Sequence, residues 1–197
     1  WLTQIEQGYY YTFASLIALQ IFFELGMSQV IVQRVRQDFA HIQLGKDNKL
    51  HGPSSRLERL SSLVSMLRCW YLVAAGIFAL GVSAGGAIFL AQNMALPPPR
   101  WIGPWLALVL ATALNLYLSF KLAIIEGCGG VSKVARLRFI QSLGGHCAMW
   151  ILLSLGFGLW SPSVIPIIAA FVTAYWLGAE GKILDQLKRP LENKVHK

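Results

Sequence analysis

Long apolar stretches alternate along the chain with short polar, basic segments. A helix needs about 20 mostly apolar residues to cross a bilayer. Five stretches meet or approach that length: about 8–32, 70–91, 104–125, 139–159 and 161–179. The last is the shortest and contains Pro166. Between the first two, QRVRQDFAHI keeps helical spacing through Val35, Phe39 and Ile42, and GKDNKLHGPS is rich in turn formers. Leu57, Leu60, Val64 and Leu67 then resume a helical stripe behind a Ser55/Glu58 capping pattern. This predicts a helical hairpin over 33–69 at the membrane surface. The expected fold is all-α: a polytopic membrane helix bundle over 1–181, with 182–197 as a tail or linker.

Polar residues inside the spans single out candidate positions. Gln20 and Glu24 are four residues apart and share one helical face. A carboxylate facing lipid costs roughly 2.5–3.5 kcal/mol on insertion scales, so Glu24 is expected to face the bundle interior. Thr112, Asn115 and Ser119 form a polar stripe on the third span, and Gln141 shares a face of the fourth with Gly145. For Asn115, a bond between helices and a cavity wall are both open readings. His146 has no second ligand at metal spacing and reads as a buried, hydrogen-bonded His. Gly81 and Gly85 make a G-x-x-x-G pair suited to close helix packing. Trp101 and Trp105 fit an aromatic belt at the membrane surface. Ser161-Pro162 reads as the cap and first residue of the fifth span.

Composition agrees with a membrane protein. The chain is 55% hydrophobic and 13% charged, with a net charge of +8. Its basic residues lie between apolar runs, which argues for topology and anionic headgroups rather than nucleic acid. All Lys and Arg except Arg100 fall in or at the flanks of alternate connections, or in the tail, with Lys121 near the inner end of the third stretch. Short loops rich in these residues stay in the cytoplasm. Residues 1–7 are therefore expected outside and the tail inside. No secretory leader is visible, so an outside start suggests that another span precedes Trp1; a natural N-out protein is the alternative. The three Cys fit neither a disulfide framework nor a zinc pattern. The four His are scattered and no nucleophile has a visible base, so no enzyme and no cofactor is expected.

Two stretches carry a family resemblance: EQGYYYTFASLIALQIFFELGMSQVIVQ and IIEGCGGVSKVARLRFIQSLGGHCAMW. They resemble the oligosaccharide (O-antigen-type) flippases of the multidrug/oligosaccharidyl-lipid/polysaccharide exporter superfamily. The shared pattern is a Gly-Tyr-Tyr opening, a membrane-embedded Glu-Leu-Gly and a Gly-rich turn after the third span. That family has two lobes of six helices, and the resemblance implies that this chain corresponds to helices 2–6 of the first. One lobe alone is not expected to transport.

The implied function is flipping of a polyprenyl-diphosphate-linked oligosaccharide from the inner to the outer leaflet, for lipopolysaccharide O-antigen synthesis. The implied location is the bacterial inner membrane. The expected partners are that lipid-linked oligosaccharide and membrane lipids, with H+ or Na+ as a candidate coupling ion. Polysaccharide polymerase and assembly proteins are further candidates. Tyr10, Gln20, Glu24, Asn115 and Gln141 are the cavity candidates for sugar, and Arg34, Arg36 and Arg68 those for the diphosphate. Arg suits phosphate because its planar fork donates two parallel hydrogen bonds. A cation-coupled multidrug antiporter of the same fold is one alternative. A non-catalytic membrane scaffold or a lipid-modifying enzyme is the alternative from another class.

Overall fold

The computed structural model describes residues 2–24, 26–39, 43–44, 50–51, 54–93 and 96–180, with side chains over 2–24, 26–39, 59–92 and 96–179. The expected tail or linker, 182–197, and most of the turn between the hairpin arms lie outside these residues. The described chain is almost wholly helical. Four helical runs are long and apolar enough to cross a membrane: Gln4–Phe39, Arg59–Gln92, Pro98–Ser154 and Gly158–Ala179.

The first run is not one helix. It consists of α1 (Gln4–Ile17), the five-residue α2 (Gln20–Glu24) and α3 (Met27–Phe39). Thr3 opens α1 with a capping box: it accepts from the Glu6 N–H at 3.3 Å, and the Glu6 carboxylate accepts from the Thr3 N–H at 2.8 Å. The T-x-x-E signature is as legible as the one expected at Ser55. Ala18 and Leu19 separate α1 from α2. There Leu19 N–H bonds Leu16 C=O, Ile21 N–H bonds Ala18 C=O and Phe22 N–H bonds Leu19 C=O, a tighter i→i+3 pattern. Gly26, at φ +71°, separates α2 from α3. Only Gly takes that conformation without a Cβ penalty, so the helix breaks beside it.

β1 (Gln43–Leu44) and β2 (Leu50–His51) form a two-residue antiparallel ladder with Gln43 opposite His51. α4 (Ser54–Asn93) follows as a single helix of 40 residues. The second arm of the expected hairpin is thus continuous with the second apolar stretch, because no Gly or Pro interrupts 54–75. The side chains of Ser55 and Glu58 lie outside the described residues.

α5 (Pro98–Ile125) begins on Pro98 and Pro99, which occupy the first turn where no N–H is required. A π-helical turn, Glu126–Gly130, joins it to α6 (Val131–Ser154). Gly129 there has φ 91° and ψ 2°, so the helical path kinks rather than running straight. α7 (Val164–Glu180) follows a 3₁₀ turn at Gly158–Trp160. It starts after Ser161-Pro162, not on it. Ser161 Oγ is buried without a partner, and Ser163 Oγ donates instead to the Pro104 carbonyl at 2.9 Å.

α5 is central. It packs against α4 and α7 and contributes more buried side chains than any other described helix. Two expectations change here. Trp101 and Trp105 are not a surface belt but core residues, 2% and 0% exposed. Phe13 meets the Trp105 ring with centroids 5.1 Å apart, and Tyr9 meets Trp101 at 6.4 Å. The Tyr9 hydroxyl also accepts from the Leu96 N–H at 3.0 Å. The close glycine contact is Gly86, not Gly81 and Gly85. A Cβ on Gly86 would clash with the Trp105 ring, whereas nothing lies within 4 Å of one on Gly81 or Gly85.

Candidate functional site

The two breaks in the first run isolate α2, and α2 carries Gln20 and Glu24. α2 and α3 bring these residues, with Ser28 and Gln29, against α5, α6 and α7. Two adjoining cavities result. One, about 390 Å³, has a polar wall that includes Gln20, Glu24, Asn115, Arg138, Gln141 and Thr173. The other, about 360 Å³, is mainly apolar and includes Phe13, Ile17, Leu108 and Ile165, together with Tyr10 and Thr112. Gln20 and Asn115 line both.

The five residues expected to face a cavity therefore meet. Tyr10 lines the apolar one, Glu24 and Gln141 the polar one, and Gln20 and Asn115 both. Asn115 combines its two open readings. Its Nδ2 donates to Ala111 C=O at 3.0 Å and, across to α7, to Pro166 C=O at 2.7 Å. Gln141 Nε2 donates to Ala169 C=O at 3.3 Å and to Thr173 Oγ1, tying α6 to α7. Thr112 and Ser119 bond their own helix, at Leu108 C=O and Leu116 C=O.

Glu24 accepts one hydrogen bond, from Ser28 Oγ at 3.2 Å. No Lys or Arg among the described residues forms an ion pair with it. The buried Tyr71 hydroxyl lies close by, with Ser28, Ser119 and Glu24 as polar neighbours, yet none meets hydrogen-bond geometry. A half-buried carboxylate on the wall of the polar cavity, with a single described hydroxyl donor, is suited to water, a cation or a ligand.

The three expected diphosphate residues do not line either cavity. Arg34 lies on α3, 4.0 Å from Asp38, and Arg36 and Arg68 are exposed. Their helical phase explains this. On α3 the inward face belongs to Ile31, Val32 and Val35, so the flanking arginines point away. The basic residue on the polar cavity is Arg138, paired with Glu126 at 3.3 Å. A signal was present: Arg138 lies three residues before Gln141, on the same face of α6. Ser28 could have been read likewise, four residues after Glu24. His146 is exposed rather than buried and bonds the Ser142 carbonyl of its own helix at 2.7 Å.

Among the described residues no group of three or more His, Cys, Asp or Glu could hold a metal ion. The wall can offer amide and hydroxyl hydrogen bonds to a polar solute, one carboxylate and one guanidinium. No protein-family model, no curated protein and no solved structure matches this chain.

Proposed function

We propose that the chain is part of a membrane transporter that moves a polyprenyl-diphosphate-linked oligosaccharide from the inner to the outer leaflet. One observation carries this reading. A polar and an apolar cavity share the wall formed by Gln20 and Asn115 inside a bundle of membrane-length apolar helices. Paired cavities of opposite chemistry suit an amphipathic solute, and a hydrated cavity is how polar groups pass hydrocarbon.

On this reading the run Pro98–Ser154 crosses twice. As one straight helix its 57 residues would extend about 85 Å at about 1.5 Å per residue, far beyond a hydrocarbon core of about 30 Å. The kink at Gly129 divides it into α5 and α6, which gives five spans corresponding to helices 2–6 of the first lobe. The basic connections put the Glu126–Gly130 turn and Arg138 on the cytoplasmic side. The polar cavity then opens toward the leaflet where the lipid-linked sugar is made, and the apolar cavity lies on the outer side. Sugar hydroxyls meet Gln20, Asn115 and Gln141.

The test is a proteoliposome assay on the product of the complete reading frame, using a fluorescent polyprenyl-diphosphate oligosaccharide. Transfer between leaflets that falls at least tenfold in Asn115→Leu is expected. Normal membrane insertion with no transfer by the wild type refutes the reading.

A second reading, a cation-coupled antiporter, is favoured by Glu24, which no described cation neutralises. It requires efflux driven by a proton or sodium gradient and abolished by Glu24→Gln. Gradient-independent flipping of the lipid-linked sugar excludes it.

A further inference from the structure

Arg138 stands one turn before Gln141 on α6, and both line the polar cavity. Its Nη2 lies 3.3 Å from Glu126 Oε2; the Arg side chain is 53% exposed and the Glu side chain 19%. Glu126 opens the π-helical turn and is not among the described lining residues. The guanidinium thus has its counter-ion outside the described wall. It carries five N–H donors in a planar fork, and this pair engages one nitrogen.

We propose that Arg138 anchors a binding site for a phosphate-class anion at the polar cavity, and that Glu126 is the resident counter-ion which the anion displaces. A half-exposed, single-contact ion pair is weak and exchanges readily. Freeing Arg138 nevertheless leaves the more buried Glu126 without its partner, which sets a threshold. A monoanion replaces one contact with another and gains little. A phosphate or diphosphate brings at least two charges and a bidentate fit to the fork, and it can exceed that threshold. Glu24 on the same wall repels the anion and keeps it at the Arg138 end. The site therefore selects multivalent oxyanions and holds them beside the amide of Gln141.

The lipid-linked diphosphate as biological ligand rests on the transport reading above; the anion chemistry does not. A lipid diphosphate, a free pyrophosphate and an anionic phospholipid headgroup share this chemistry, and the experiment separates them. The full chain in neutral detergent is titrated with inorganic pyrophosphate by calorimetry. It is then titrated in nanodiscs of phosphatidylcholine, with and without phosphatidylglycerol.

Glu126→Gln is expected to tighten pyrophosphate binding about fivefold, the worth of a half-exposed pair. Arg138→Gln is expected to weaken it at least tenfold, and the double variant to bind like Arg138→Gln. Arg138→Lys keeps the charge if Gln harms the fold, and it should lose a smaller factor. Competition from phosphatidylglycerol assigns the site to bilayer headgroups; its absence assigns the site to diphosphates. Unchanged or weaker binding in folded Glu126→Gln overturns the displacement, and wild-type affinity in Arg138→Gln or Arg138→Lys overturns the site. If the pyrophosphate effects hold while the proteoliposome assay shows no flipping, the transport reading fails alone. If flipping holds without them, the anion site fails alone.

Discussion

The two cavities share Gln20 and Asn115 but are built by opposite means. The apolar one is walled by α1, α5 and the start of α7, and its lining residue Phe13 packs at a tilt against Trp105. Apart from the shared Gln20 and Asn115 it carries few hydrogen-bonding groups, and one of them, Thr112, bonds Leu108 C=O of its own helix at 2.7 Å. The polar one is walled by the broken segment α2 and by side chains whose bonds cross between helices, as Gln141 bonds Thr173. The difference teaches where the bundle can tolerate change. An apolar hollow in hydrocarbon is held by shape, and its lining is sensitive to volume. A polar hollow is held by a few directed bonds, and its lining is sensitive to chemistry.

Five substitutions sharpen or break that contrast. Phe13→Ala removes a fully buried ring from the apolar side and is expected to cost about 3 kcal/mol, read from unfolding in mixed detergent. Gly86→Ala drives a methyl into Trp105 and should cost about 1–3 kcal/mol, while Gly85→Ala, with nothing nearby, should be neutral or slightly stabilising. Equal stability of the two Ala variants would contradict the packing described. Asn115→Leu loses the bond to Pro166 C=O and should cost about 0.6 kcal/mol, while on the proposed transport reading flipping falls at least tenfold. Glu24→Gln keeps an acceptor for Ser28 and should shift stability least, by under about 0.5 kcal/mol. A large stability loss from either polar variant, with no loss of transport, would show that the polar wall is merely structural.

Helix positions were legible in the hydrophobic pattern because each apolar stretch is bounded by basic or Pro/Gly-rich segments. Helix continuity was not. The break at Gly26 needs a positive φ that a single Gly permits but does not demand, and the 40-residue α4 conceals the join between its polar and apolar halves. Polar residues well inside apolar stretches were informative: the Gln20–Glu24 pair and the Asn115 stripe lie on cavity walls, where burial without partners is costly. The arginines were not, since Arg34, Arg36 and Arg68 also satisfy the topology rule by lying in a basic connection. Choosing Arg138 required the phase of α6 relative to Gln141. Trp101 and Trp105 were misplaced because interfacial and buried tryptophans read alike in a sequence. Only the facing Gly86 and Phe13 decide between them.

The uninterrupted α4 has a mechanical meaning of its own. Forty residues make a rod of about 60 Å, twice a hydrocarbon thickness of about 30 Å. Its first half is no free arm, because Leu60, Val64 and Leu67 are buried in the same core cluster as Tyr71 and Phe78. One stiff rod is thus clamped at both levels, so a push on its polar half is carried along the axis to the apolar half instead of being absorbed at a hinge.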